Sequence, residues 1–223
     1  MTKKTLQLLA TVALVTGMGL ASATTAHAAD NTANVTTTGN VTLTADDGEE
    51  GGGGNAGGIV LKKTPWITVP SSKINGSDQT IAATVDSALS SGDGNGAVQV
   101  VNAGHKSSWK VQLANTVFTD PDSKDVMNAS TLDFGAATLK AVDDTANATT
   151  APSLVNQGLS LNTGSATQNQ DVVGATYTTD SKEGVGTFNT TYSGAKLNLK
   201  AGNVAGNYQS TLTWTLTNTP ATS

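Results

Sequence analysis

The 223-residue chain contains no cysteine, which removes disulfides, zinc-thiolate sites, thiol nucleophiles and cysteine-linked lipids together. Its stability has to come from its core. Arginine is absent too, and the lysines are scattered, so there is no basic patch to neutralise phosphates and no nucleic-acid partner is expected. Aromatic residues are only 4% of the chain. With Thr, Asn, Ser, Ala and Gly abundant, this supply fits one thin β-rich core better than two.

What is present begins with a short basic region, Lys3 and Lys4, then a mostly apolar run from Leu6 to Leu20, then Ala26-His27-Ala28, the small-x-small pattern that signal peptidase reads. Residues 1–28 read as a secretory signal peptide. A membrane-spanning anchor fits less well, because Gln7, Thr11, Thr16, Gly17 and Gly19 interrupt a run already short for a bilayer. Loss of Lys3 and Lys4 leaves ten of the twelve basic residues against seventeen carboxylates, a net charge of −7. An exported, cysteine-free, acidic chain points to a Gram-positive style of secretion.

After a short segment, 29–32, a domain is expected over 33–223. Asn34 to Thr44 alternates, with Val41 and Leu43 on one face, and reads as a first strand. The acidic and glycine-rich stretch 46–58 has nothing to bury and the highest ordering entropy, so it reads as a flexible loop. Further strands are expected at Ile59 to Leu61, Trp66 to Val69, Thr80 to Val85, Val98 to Val101 and Trp109 to Leu113. Others fall around Phe134, Leu159 to Leu161, around Tyr177, Thr187 to Tyr192 and Lys196 to Lys200. Turn residues at Pro70-Ser-Ser, Asp120-Pro-Asp, Asn162-Thr-Gly and Ala201-Gly-Asn separate several of them. No repeat of fixed period is present, and the one short helical turn falls near Asp86 to Ser91. Many short strands between such turns predict an all-β, single-domain sandwich.

Catalytic chemistry finds no foothold. After signal removal His105 is the remaining histidine, in a polar Asn-Ala-Gly-His-Lys-Ser-Ser loop, and no Gly-x-Ser-x-Gly elbow exposes a nucleophile. A lone solvated histidine makes no transition-metal site. Asp120-Pro-Asp122-Ser-Lys-Asp125 offers oxygen ligands to calcium but lacks the central glycine and distal glutamate of an EF-hand, and ordinary turn chemistry accounts for it. No catalytic residue, metal or cofactor is therefore assigned. A carbohydrate-active enzyme would require two converging carboxylates that the sequence does not single out.

The chain is organised around its last strand. Read with a period of two, Tyr208, Ser210, Leu212, Trp214 and Leu216 share one face and Gln209, Thr211, Thr213, Thr215 and Thr217 the other. Asn218, Thr219 and Pro220 end it, since proline has no N–H for a ladder. Trp109 shares its face with Val111 and Leu113, as Trp214 does with Leu212 and Leu216, which favours core over ligand contact for both. Trp66, between Pro65 and Thr68, is the tryptophan expected to be exposed.

Tyr208, Leu212, Thr213, Trp214, Leu216 and Pro220 together resemble the distal signature of the WxL domain, a surface module of low-GC Gram-positive bacteria. The family's upstream Trp-x-Leu is represented by Trp109-Lys110-Val111, with valine in place of leucine. The resemblance implies a strand, an acidic loop and then the remaining strands. It also implies non-covalent attachment to the cell wall, with peptidoglycan as ligand and WxL or WxL-interacting surface proteins as partners. It attaches no binding site to named residues. The sequence runs through Ser223 without a Leu-Pro-x-Thr-Gly sorting motif, an apolar tail or a basic terminus, so retention without a covalent or lipid link is expected.

Export is checked by intact-mass analysis of the secreted protein. The expected chain starts at Ala29, and retention of residues 1–28 would contradict the signal peptide.

Overall fold

The computed structural model describes residues 31–42, 54–56, 58–86, 97–142 and 150–220. The expected signal peptide, most of the acidic loop and the expected helical turn after Asp86 lie outside them. Among the described residues every regular element is a strand. In chain order these are β1 (Asn31–Thr42), β2 (Gly54–Ala56), β3 (Ile59–Lys63), β4 (Trp66–Val69), β5 (Gln79–Asp86), β6 (Ala97–Asn102), β7 (Ser107–Asn115) and β8 (Thr131–Phe134). They continue with β9 (Ala137–Ala141), β10 (Leu154–Val155), β11 (Ser160–Asn162), β12 (Thr167–Ala175), β13 (Gly186–Tyr192), β14 (Ala195–Leu199) and β15 (Asn207–Pro220). The all-β sandwich expected from the turn pattern is the fold observed.

Ten strands form the larger layer in the order β10-β12-β7-β15-β1-β4-β5-β14-β8-β11, and five form the smaller in the order β2-β3-β6-β13-β9. The first and last strands of the chain meet at the middle of the larger sheet. All twelve residues of β1 pair antiparallel with β15, from Asn31 opposite Asn218 to Thr42 opposite Asn207. On its other side β15 pairs with β7, placing Trp214 opposite Leu113 and Leu216 opposite Val111. β1 also makes a short parallel contact with β4, Asn40 opposite Thr68.

One core lies between the layers. The larger sheet contributes Trp109, Val111, Leu113, Leu212, Trp214 and Leu216, and the smaller contributes Ile59, Leu61, Val98, Val100 and Phe188. β7 alternates strictly between buried and half-buried positions, as a strand with one wet face must. Asn218 ties the layers together by donating from Nδ2 to the Ala56 carbonyl at 3.1 Å.

The structure differs from sequence expectation in several places. Trp66 is buried, at 9% exposure, and its Nε1 has no hydrogen-bond partner. It is the first residue of β4 and follows buried Thr64 and Pro65, so the strand's alternation does not set its burial. Gly54–Ala56, placed in the flexible loop, forms β2 against β3. β1 begins at Asn31, two residues before the expected domain start. β9, β10 and β12 were not anticipated, and Tyr177 lies just beyond β12 rather than in a strand.

Trp214 is fully buried in the central strand. Truncation of such a residue costs about 3 to 5 kcal/mol, a large part of the roughly 5 to 15 kcal/mol available to a domain. Trp214→Ala is therefore expected to lower the melting temperature before it affects any binding. An unchanged melting temperature with lost binding would place Trp214 at a ligand.

Candidate functional site

The signature residues converge, but they converge inward. Trp109, Val111, Tyr208, Leu212, Trp214 and Leu216 are each no more than 3% exposed. The indole N–H of Trp109 donates to the Gly184 carbonyl at 3.0 Å. Gly184 has φ +71°, and a Cβ there would lie 2.7 Å from Trp109 Nε1 and 2.2 Å from Ala175 Cβ. The turn over the indole therefore requires glycine. The Tyr208 hydroxyl donates to the Val204 carbonyl at 2.9 Å and closes the loop that feeds β15.

Asp120 is a structural acceptor. It is 5% exposed. Its Oδ1 accepts from the backbone N–H groups of Asp122 at 2.8 Å and Ser123 at 3.1 Å, and its Oδ2 from that of Asn207 at 2.6 Å. These bonds hold its carboxyl below the usual range, with the Asn207 bond the strongest cause. They also pin the 119–126 turn to the start of β15. Both oxygens already face N–H donors, which a calcium ion would have to displace. Asp125 is engaged separately, accepting from Ser123 Oγ at 2.8 Å. Among the described residues no group of three His, Asp or Glu side chains is placed to hold a metal.

His105 is exposed, in a loop closed by Asn102, whose Oδ1 accepts from the Gly104 and His105 N–H groups at 3.2 and 2.7 Å. Its ring lies against Gly58, where a Cβ would come within 2.3 Å of Nε2. It packs one loop on another.

The outer face of the same strands is polar and partly open to solvent. Along β15, Gln209, Thr211, Thr213 and Thr217 are half-buried and Thr219 is exposed. Opposite them on β7 stand Ala114 across from Thr213, Gln112 from Thr215, Lys110 from Thr217 and Ser108 from Thr219. On β12, Asp171 lies opposite Gln112 and Gly174 opposite Lys110, and on β10 Leu154 lies opposite Gly174. Asp171 Oδ1 accepts from Gln112 Nε2 at 2.7 Å and lies 3.1 Å from Lys110 Nζ. At the end of this face a cleft of about 210 Å³ is lined by Ser108, Lys110, Leu154, Gly174, Thr217 and Thr219, among others. Leu154, 40% exposed, is one of two exposed large apolar residues among the described ones. Sequence alternation located the polar face; the cleft depends on β10 and β12, which it missed.

The chain is thus an all-β module with a buried tryptophan signature and a polar, hydroxyl-rich outer sheet face. The model of the WxL domain family, described as surface cell wall-binding, matches residues 30–220, and the chain belongs to that family. No curated protein matches the chain, and no solved structure does.

The Asp120 carboxyl is held below the ordinary aspartate range in the folded state, so it contributes stability that is present above the unfolded pKa and lost as pH falls through the folded one. Asp120→Asn is expected to lower the melting temperature at pH 7, with the difference from wild type shrinking once pH drops below about 4. Calcium is expected to leave both melting temperatures unchanged. A calcium-dependent rise seen only in wild type would restore the ion-binding reading.

Proposed function

We propose that this protein is a secreted, non-enzymatic module that holds to the Gram-positive cell wall without a covalent link, with peptidoglycan as its ligand and the outer face of β12, β7 and β15 as its contact surface. The observation that carries this reading is the division of the signature strands: the tryptophans fill the core, and Thr, Ser, Gln and Lys side chains occupy the other side. Hydroxyl and amide groups suit a neutral, hydroxyl-rich polymer, because both partners supply donors and acceptors. The net charge of −7 after signal removal opposes long-range attraction to a polyanionic wall, so the contacts are short-range.

Purified domain is expected to bind protein-free sacculi, and a urea wash is expected to release it intact. Binding is expected to persist or strengthen at mildly acidic pH, where carboxylates begin to take up protons, and to tolerate salt, which screens repulsion. Release only by wall digestion, with a muropeptide attached in the mass spectrum, would overturn the non-covalent reading.

A second reading, in which the protein is a structural subunit of a surface complex and binds mainly WxL-type or WxL-interacting proteins, is favoured by the edge of the smaller sheet. Among the described residues β9 pairs with β13 on one side only. The Val142 N–H donates to the Thr187 carbonyl and the Ser193 N–H to the Ala136 carbonyl, at 2.8 and 3.0 Å. Ladder alternation then turns the backbone groups of Ala137, Leu139 and Ala141 outward. Gln157 Oε1 accepts from the Ala137 N–H at 3.0 Å, leaving Leu139 and Ala141 as the template for an added strand. Ala141→Pro removes one outward N–H and no β13 bond, so it is expected to keep the fold and sacculus binding. Loss of capture on whole cells would locate a protein partner at β9, and unchanged capture would exclude that edge.

A further inference from the structure

We infer that the cleft at the β10 end of the larger sheet is a subsite for the acetamido group of an N-acetylated hexosamine unit; this rests on the wall-binding reading and makes it specific. The cleft is built from one transverse row of the sheet. Thr217 on β15, Lys110 on β7, Gly174 on β12 and Leu154 on β10 stand opposite one another in succession. Neighbouring strands lie about 4.8 Å apart, so this row spans roughly 15 Å, the scale of a short oligosaccharide.

Glycine at the third position shapes the row. A Cβ at Gly174 would fall 2.9 Å from Lys110 Cβ, 3.0 Å from the Trp109 carbonyl oxygen and 3.3 Å from Leu154 Cδ2. Only a hydrogen lets the Lys110 stem and the Leu154 methyls approach across β12. The Lys110 stem and the Leu154 methyls form a small apolar surface beside the hydroxyls of Ser108, Thr217 and Thr219.

The chemistry of the lining selects the ligand group. An acetamide presents a methyl to the apolar surface, a carbonyl oxygen to the Lys110 ammonium or a threonine hydroxyl, and an N–H to a hydroxyl oxygen. A free amine at the same position would bring a second cation against Lys110. A carboxylate would compete with Asp171, which already holds Lys110 at 3.1 Å. A plain hydroxyl would leave the exposed Leu154 uncovered. The cleft volume of about 210 Å³ is below the range of drug-sized pockets, about 300 to 1,000 Å³, and accepts one sugar unit or part of one.

The test titrates the purified domain with three oligosaccharide probes of equal length: β-1,4-linked N-acetylglucosamine, its fully deacetylated form, and the glucose oligomer. Sacculus binding is measured in parallel. The acetylated probe is expected to bind, with NMR shifts centred on Lys110, Gly174 and Thr217, and the other two to bind at least about fivefold more weakly, the loss of one hydrogen bond and its apolar contact. Leu154→Asp and Lys110→Met are expected to weaken the acetylated probe by a similar factor at unchanged melting temperature, since Leu154 is exposed and the Lys110 pair is a surface one. Equal binding of all three probes, or an acetylated probe insensitive to both variants, would overturn the subsite. No binding of the acetylated probe alongside intact sacculus binding would also overturn it while leaving the wall reading in place. Probe binding without sacculus binding would support the subsite and remove peptidoglycan as its source.

Discussion

The pairing of β15 on both sides is the constraint on which the rest of this fold depends. β1 covers one edge of it along its whole length and β7 the other from Leu212 to Pro220. Joining the two ends of a chain across a sheet closes a very long loop, and the closure entropy has to be offset where the ends meet. The offset comes from β15 itself: Tyr208, Leu212, Trp214 and Leu216 each bury fully, and their neighbours on β7 are the apolar positions Val111 and Leu113. In a chain without cysteine no disulfide fixes this closure.

The same constraint explains why the signature is legible and other parts are not. Tyr208 to Pro220 declares itself by alternation in sequence, because one side of β15 packs on the smaller sheet and the other, Thr215 apart, is half-buried or exposed. β7 reads equally well, Trp109, Val111 and Leu113 buried between half-exposed Lys110 and Gln112. β12 breaks that rule. It pairs with β7 through two register shifts and buries Val172, Val173, Gly174 and Ala175 in succession, so neither a period of two nor a clean hydrophobic run marks it. β10 has two residues and forms only because Leu154 and Val155 find β12 beside them. Trp66 misleads for a related reason. Local neighbours proline and threonine look like a surface, whereas its burial comes from how the chain enters β4.

The glycines show the limit of composition more sharply. A glycine-rich stretch reads as flexible, yet Gly54 opens a strand paired to Leu61. Gly184 and Gly174 look unremarkable in sequence and act by absence of a side chain, one admitting the Trp109 indole and the other letting Lys110 and Leu154 close over β12. Both depend on contacts across the sheet, at separations local patterns cannot reach. The candidate cleft was hidden for this reason, although Lys110 and Thr217 lie within or beside the recognised motif.

A buried signature beside a polar outer face changes what the motif means physically. Substituting Trp109 or Trp214 tests the scaffold, since their contacts are with Gly184, Leu113 and the core. The alternate residues, the x of each Trp-x-Leu-like triplet, point away from the core side of the strand. Lys110 lies between Trp109 and Val111, and Thr215 between Trp214 and Leu216. On β7 the intervening residues supply the surface, Lys110 among them, whereas Thr215 on β15 is itself buried. Here that surface is nearly neutral where it matters: Lys110 is balanced by Asp171, and threonines and glutamines surround them. On the proposed contact face, the absence of net charge would avoid adding local repulsion to the approach of an acidic protein to a polyanionic wall, and the proposed retention would then rest on hydrogen bonds and the apolar edge at Leu154.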